Sequence, residues 1–246
     1  VPFYGLSILC GDDPYLRILL PRITRRKKTY GFGSHCSYAV EEYVPTREGS
    51  ECRIRYGKER FTLKLRVPGK HNMLNALATV AVADELSVSR AITLEALSSY
   101  QGVQRRFHRR GEKDGILFID DYAHHPTEIS ATLSAARERF PDSKIRVIFQ
   151  PHRPSRVEDL FDQFATCFKL CDSVAVTEIY SAGEMPLEGV NGAILAQAIE
   201  KSGHSGVGFT EKPLDQIETW MKQSQPGDVI LTLGAGDLPN VYRQLF

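Results

Sequence analysis

Apolar and polar positions recur with two different periods along the chain, and the change falls near residue 70. Before it, short apolar runs bounded by Gly, Pro and Asp predict strands. One covers residues 5–10 and ends in Gly11-Asp12-Asp13-Pro14, a turn or helix start, and another covers residues 29–32. Residues 38–44, 52–56 and 61–67 alternate apolar with polar, as half-buried antiparallel strands do. From His71 the period is helical: Leu74, Leu77, Ala78, Ala81 and Val82 share one stripe. Ser89 then stands where a cap would open a second helix carrying Ile92, Leu94 and Leu97. Beyond Gln101-Gly102, apolar strands at 116–119, 145–149, 173–176 and 229–233 are separated by helical stretches at 126–140, 157–170, 193–200 and 214–223, and a terminal helix closes the series.

Short apolar strands alternating with amphipathic helices predict an α/β fold with a C-terminal doubly wound, mostly parallel sheet covered by helices on both faces. A partial α/β domain with antiparallel strands precedes it, and the boundary is expected near residue 104, dividing 1–104 from 105–246. Composition narrows the function classes. The 246 residues are 42% hydrophobic and 25% charged, which excludes a disordered or fibrous protein. A net charge of +1 gives no general attraction for nucleic acid or a membrane surface. The longest apolar stretches, such as residues 76–83, fall far short of the roughly 20 residues of a membrane span, and no secretory signal opens the chain. Five cysteines without a C-x-x-C pair read as reduced thiols in the cytoplasm. The abrupt opening at Val1 reads as a fragment of a longer protein.

In a doubly wound sheet ligands sit beyond the carboxyl ends of the strands. Four such places are rich in polar residues: Asp120-Asp-Tyr-Ala-His-His-Pro-Thr-Glu128, Gln150-Pro-His-Arg-Pro-Ser-Arg156, Thr177-Glu-Ile-Tyr-Ser-Ala-Gly-Glu184 and Gly234-Ala-Gly-Asp237. Asp120, Asp121, His124 and His125 suit either a metal or, because Pro126 starts a helix, a phosphate or carboxylate. No metal is expected here, and Thr127 or Asp121 could equally serve as helix caps. Arg153 and Arg156, three residues apart at a helix start, could grip a carboxylate or phosphate as bidentate forks, or pair with Glu158 or Asp159. Asn72 and Asn75 lie at i and i+3, so both amides can face one ligand, and an amide matches an adenine-like edge. The basic runs 25–28 and 105–110 read as a solvated loop and a charged hinge at the domain boundary. Cys167 and Cys171, beside Phe164 and Phe168, read as core packing, and neither Gly31-Phe-Gly33 nor Gly234-Ala-Gly236 completes a dinucleotide fingerprint.

Gly69-Lys-His-Asn-Met-Leu-Asn75, Gly102-Val-Gln-Arg-Arg-Phe107, the Asp120–Glu128 motif and Gly234-Ala-Gly-Asp237 stand in the order found in Mur ligases of peptidoglycan synthesis. Over essentially its whole length the chain resembles that family. Its Asp-Asp-Tyr-Ala-His-His-Pro form, with Gln150-Pro-His-Arg-Pro-Ser-Arg156 and Ala182-Gly-Glu184, is similar to the branch that joins L-alanine to UDP-N-acetylmuramate. The resemblance implies a three-domain enzyme in which residues 1–104 end the central, ATP-binding domain and 105–246 form the C-terminal, Rossmann-like domain. The family uses ATP and Mg²⁺ to phosphorylate a substrate carboxylate, and an amine then attacks the acyl phosphate. On that resemblance His71, Asn72 and Asn75 hold adenine, with Arg106 and Asp121 near the ribose and phosphates. His124, His125, Arg153 and Arg156 lie near the reacting carboxyl and the incoming amino acid, and Tyr122, Tyr180 and Glu184 contact substrate. No G-x-x-x-x-G-K-[ST] phosphate loop occurs, so that loop and the metal ligands are expected upstream and the chain alone is expected to be incomplete as an enzyme. Two other readings are a recycling ligase that attaches a preformed peptide to the same sugar nucleotide, and a non-catalytic nucleotide- or amino-acid-binding module.

Overall fold

The computed structural model describes residues 2–46 and 48–246. The chain divides into two compact units at Gln101–Gly102. In the first, five strands form one sheet in the order β1-β2-β3-β4-β5: β1 (Ser7–Cys10), β2 (Lys27–Gly31), β3 (Tyr38–Thr46), β4 (Gly49–Tyr56) and β5 (Glu59–Leu65). β1, β2 and β3 run parallel, whereas β3, β4 and β5 are antiparallel as their alternation predicts. A short helix, α1 (Pro14–Leu19), follows the first strand, and its N-cap Asp13 accepts the Leu16 N–H at 2.8 Å. The run 25–28 is not simply a solvated loop. Lys27 and Lys28 begin β2, and Arg26 and Lys28 both reach Glu85.

α2 (Lys70–Glu85) lays Met73, Leu77, Val80 and Ala81 against Tyr38, Ile54 and Leu63 of the sheet. Tyr38 is fully buried, stacks on Tyr56 at 4.2 Å and donates its hydroxyl to Asp84 at 2.8 Å, so the strand and the end of the helix are tied through one side chain. α3 (Arg90–Ser99) starts where Ser89 predicts, but the Ser89 side chain makes no cap bond; its carbonyl accepts the Thr93 N–H and hydroxyl instead.

The second unit holds a six-stranded sheet in the order β10-β9-β8-β11-β7-β6. Its strands are β6 (His108–Lys113), β7 (Ile116–Asp121), β8 (Ile145–Phe149), β9 (Ser173–Val176), β10 (Val207–Phe209) and β11 (Val229–Leu233). All pairings are parallel except that of the edge strand β6 with β7. Alternate side chains feed two cores. Val147, Phe149, Val174, Val176, Leu231 and Leu233 face α4 (Pro126–Arg139), α6 (Phe161–Thr166) and α7 (Gly192–Lys201). Ile148, Ala175, Ile230 and Phe118 face α8 (Pro213–Gln223) and the C-terminal α9 (Tyr242–Leu245). Strands buried on both faces explain why the central runs are continuously apolar.

Three further details depart from the sequence pattern. The helix expected over 157–170 is two short ones, α5 (Pro154–Asp159) and α6. Pro154 starts the first early, and Leu160, at φ −117° and ψ 19°, breaks the ladder. The run 105–110 is not a hinge throughout, since its second half is the edge strand β6. The pattern predicts no strand at β10. Cys167 and Cys171 are buried in the core as expected, and all five cysteines are free. Among the described residues no helix is long and apolar enough to cross a membrane.

Two carboxylates fasten the amino-terminal edge of this sheet. Asp172 accepts the Ile145 N–H, Arg137 and Lys144; Asp228 accepts the Gln225 and Lys144 N–H groups and Arg146. Burial works against ionisation in both, but these donors outweigh it and hold both carboxyls below the usual range. Depressed carboxyl values contribute stability above the unfolded value, near 3.9, and lose it as pH falls through the folded one. The melting temperature should therefore drop on acidification below about pH 4, and Asp172→Asn combined with Asp228→Asn should flatten that limb. Parallel acid limbs in the variant and the parent would refute the assignment.

Candidate active site at the carboxyl edge of the second sheet

The four polar segments do meet at one edge, and the backbone explains how. Past the ends of β8 and β9 the chains keep pairing: Tyr180 N–H donates to Pro151 O at 2.8 Å and Arg153 N–H to Tyr180 O at 2.9 Å. This extension stacks His152 on Tyr180, with ring centroids 5.5 Å apart. His124, from the loop after β7, packs edge-on to His152 at 5.8 Å and to Tyr122 at 5.1 Å. Gly236, after β11, lies so close that a Cβ there would strike the Gln150 amide and approach the Tyr180 ring to 2.9 Å. Arg105, Phe107, Arg153 and Ala182 all take positive φ in these segments, a cost that packing around a site commonly sustains.

Gln150 is the clamp between two of the loops. Its amide donates to Asp237 at 2.9 Å and its carbonyl accepts the Leu238 N–H at 3.2 Å. Arg105 is the other: it donates to the carbonyls of Gly234 at 2.7 Å and Gly236 at 3.1 Å, and lies 4.7 Å over the Tyr122 ring. Its Nε faces the buried Asp120 at 3.8 Å. Burial pushes the Asp120 carboxyl up, against the pull of Thr232 and Arg105. Neither Gln150 nor Arg105 was singled out as a site residue from sequence, nor was His152, the centre of the ring cluster. The signal for His152 and Gln150 was their position just past the end of β8.

The predicted residues divide by what they touch. Asp121 is buried and faces no open space: its oxygens accept the Phe107 N–H at 2.7 Å and the Ala123 N–H at 2.8 Å. His125 caps α4 by accepting the Thr127 N–H at 3.2 Å. His124 turns Nδ1 to the Tyr122 carbonyl at 2.9 Å, which fixes a proton there and leaves Nε2 as the acceptor of the neutral ring. Arg106 is half exposed, 5.5 Å over the Tyr122 ring and 3.7 Å from Glu128. Among the described residues no three of Asp120, Asp121, His124 and His125 bring their ligand-capable atoms together, and the group that does so lies in the first unit. In the first unit, Asn72 donates to Pro68 O at 2.7 Å, His71 is half-buried, and Asn75 is exposed one turn further on.

Arg153 and Arg156 differ in a way the sequence did not show. Arg153 lies 3.8 Å from Glu184, whose carboxylate also accepts the Ser155 N–H and hydroxyl. Those Ser155 donors, with Arg153 and Arg156 nearby, hold Glu184 below the usual carboxylate range. Among the described residues Arg156 hydrogen-bonds only to His152: Nη1 stands 3.4 Å from the ring Nδ1 and 3.3 Å from the carbonyl. Neither pairs with Glu158 or Asp159, and no carboxylate among the described residues lies within ion-pair distance of Arg156.

His152 is held below the usual imidazole range, first by burial and then by the charges of Arg156, His124 and Arg153. A depressed imidazole value means that folding disfavours its protonation, so stability is lost as pH falls through about 6.5. Its NMR titration should fall below that value and move up in Arg156→Gln. A midpoint unmoved by the substitution would show that the two groups do not interact.

A glutamate ligase domain family of the Mur ligases matches residues 105–236, and the Mur ligase middle-domain family matches residues 1–83. The chain belongs to the Mur ligases. The UDP-N-acetylmuramate–L-alanine ligase of Sorangium cellulosum is 45% identical over 249 residues, which is 100% of this chain and 53% of that protein. The ligase of the same description from Desulfosudis oleivorans is 42% identical, covering 97% of this chain and 52% of its own length. Among solved structures, UDP-N-acetylmuramate-alanine ligase MurC from Thermotoga maritima superposes with a TM-score of 0.77 at 34% identity, over 97% of this chain and 50% of that one. The chain thus spans about half the length of the curated Mur ligases it matches.

Proposed function

We propose that the full-length protein is an ATP-dependent ligase that joins L-alanine to UDP-N-acetylmuramate in peptidoglycan synthesis, through an acyl phosphate. The observation that carries this reading is Arg156, a half-buried guanidinium without a carboxylate partner among the described residues, set beside His152, Tyr180 and His124. A planar fork presented this way suits the carboxylate of a free amino acid. His152 accepts from Arg156 through Nδ1 and so keeps the fork oriented, while His124 Nε2 is available to take a proton from the attacking amine. Arg153 and Glu184 frame the same loop, and Tyr122 and Tyr180 supply its aromatic walls.

ATP supplies the phosphoryl group that activates the sugar-nucleotide carboxylate. The donor set for its base fits in part: Asn75 is an exposed amide, with His71 half-buried one turn before it, while Asn72 is committed to the helix start. Arg106 is exposed enough to meet phosphate, whereas Asp121 is buried and positions the Arg105–Phe107 turn through the Phe107 N–H. The metal ligands are expected upstream of this chain, and among the described residues no group of three or more ligand-capable side chains gathers at this edge to hold magnesium.

The test is inorganic phosphate release by the full-length protein with ATP and Mg²⁺. Release that needs both UDP-N-acetylmuramate and L-alanine is expected. Release with a tripeptide but not with L-alanine would overturn the assignment in favour of the peptide-adding reaction, and binding without turnover would leave only a binding module.

A further inference from the structure

We infer that Asp12, His35 and Cys36, in the first unit, form a binding site for a zinc-class divalent cation, made of residues that the proposed ligase chemistry does not use. The ligand-capable atoms of the three side chains all lie within 4.8 Å of one another. Asp12 follows β1, while His35 and Cys36 belong to the loop of residues 32–37 joining β2 to β3, so the chain brings them together from two connections. A carboxylate oxygen, an imidazole nitrogen and a thiolate make the mixed donor set of a borderline cation rather than of magnesium or calcium. Ligand bonds of about 2.0–2.3 Å put neighbouring donors of a tetrahedral centre roughly 3.5 Å apart, which is a side-chain adjustment from the spacing seen.

The surroundings are already those of ligands. His35 Nε2 lies 3.0 Å from the Gly11 carbonyl, which can only accept, so that nitrogen carries the proton and Nδ1 is left to coordinate. Asp12 is oriented by the Phe32 N–H at 2.6 Å and the Gly33 N–H at 2.9 Å, and each oxygen keeps a lone pair. Three glycines make the room. A Cβ on Gly11 would come within 2.5 Å of the Cys36 sulfur, one on Gly31 within 2.6 Å of the Asp12 carboxylate, and one on Gly33 would fall on the His35 ring. Cys36 is buried and His35 exposed, which gives an inner sulfur ligand and a way in from solvent. Three protein donors leave a fourth position for water, and coordination takes Cys36 as thiolate, its proton passing to solvent.

Titration with Co²⁺, a spectroscopic stand-in for zinc, tests this. The protein should show one thiolate-to-cobalt charge-transfer band that Zn²⁺ displaces. The band should vanish in Cys36→Ser, and His35→Gln should bind at least tenfold more weakly, while Cys10→Ser should bind as the parent does. His35 is exposed, so its variant decides the matter even if Cys36→Ser fails to fold. Zn²⁺ should also raise the melting temperature of the parent and not of His35→Gln. Absence of the band, or equal affinity in the parent and His35→Gln, would overturn the site.

Discussion

Asp121→Ala is expected to destabilise the second unit by about 2–6 kcal/mol, the sum for two backbone donors left without an acceptor at roughly 1–3 kcal/mol each. The Phe107 and Ala123 N–H groups both end on this carboxylate, and Phe107 holds a positive φ that the bond stabilises. The same contact fixes Arg105, whose guanidinium joins the loop after β11, so the loss should spread to the Gly234–Gly236 carbonyls. Asp121→Asn should cost less, since one acceptor oxygen remains. Burial pushes the Asp121 carboxyl above its usual range despite the two N–H donors. A raised carboxyl value means that folding disfavours its ionisation, so stability is lost as pH rises from about 3.9 through the folded value, and the neutral Asn variant escapes that part of the cost. Denaturant unfolding measures both. An Ala variant within about 0.5 kcal/mol of the parent would sink the positioning role, and a loss confined to ATP affinity at unchanged stability would return Asp121 to the nucleotide.

What the residues revealed in advance, and what they hid, follows from which interactions are local. The strands β7, β8, β9 and β11 were legible because burial on both faces demands uninterrupted apolar runs such as Val229–Leu233. β6 was not: His-Arg-Arg-Gly-Glu-Lys has no apolar alternation, and it is a strand only because the edge of β7 offers it a ladder. β10, three residues long, is held by pairing with β9 rather than by its own pattern. The split of 154–166 into two helices depended on the backbone at Leu160, which no spacing reports. At the site, the four segments could be placed on one edge from strand ends alone. Their division of labour could not. That Asp121 faces inward, that Glu184 occupies Ser155 and stands beside Arg153, and that Arg156 has no carboxylate are facts about partners 14 to 31 residues distant in sequence, set by tertiary contact.

That difference between the two arginines gives the sharpest functional expectation. In the full-length protein, Arg156→Ala should raise the Michaelis constant for L-alanine by about 10- to 150-fold, the equivalent of 1.5–3 kcal/mol for charge-assisted hydrogen bonds, with that for ATP changed less than about twofold. Arg156→Lys should fall between, because a lysine keeps the charge but cannot offer two parallel donors. Arg153→Lys should do less than either, since Arg153 already faces Glu184 across 3.8 Å and lies half exposed. Arg156 also donates to His152, so its loss frees the Nδ1 of that ring, and the His152 titration should move upward in the same variant. A shift in the His152 titration without any change in L-alanine use would make Arg156 a support for the ring alone. Equal damage to L-alanine and ATP constants would mean that the fork grips phosphate, and the amino-acid carboxylate would have to be sought at another cation of the same edge, with Arg106 the first to examine.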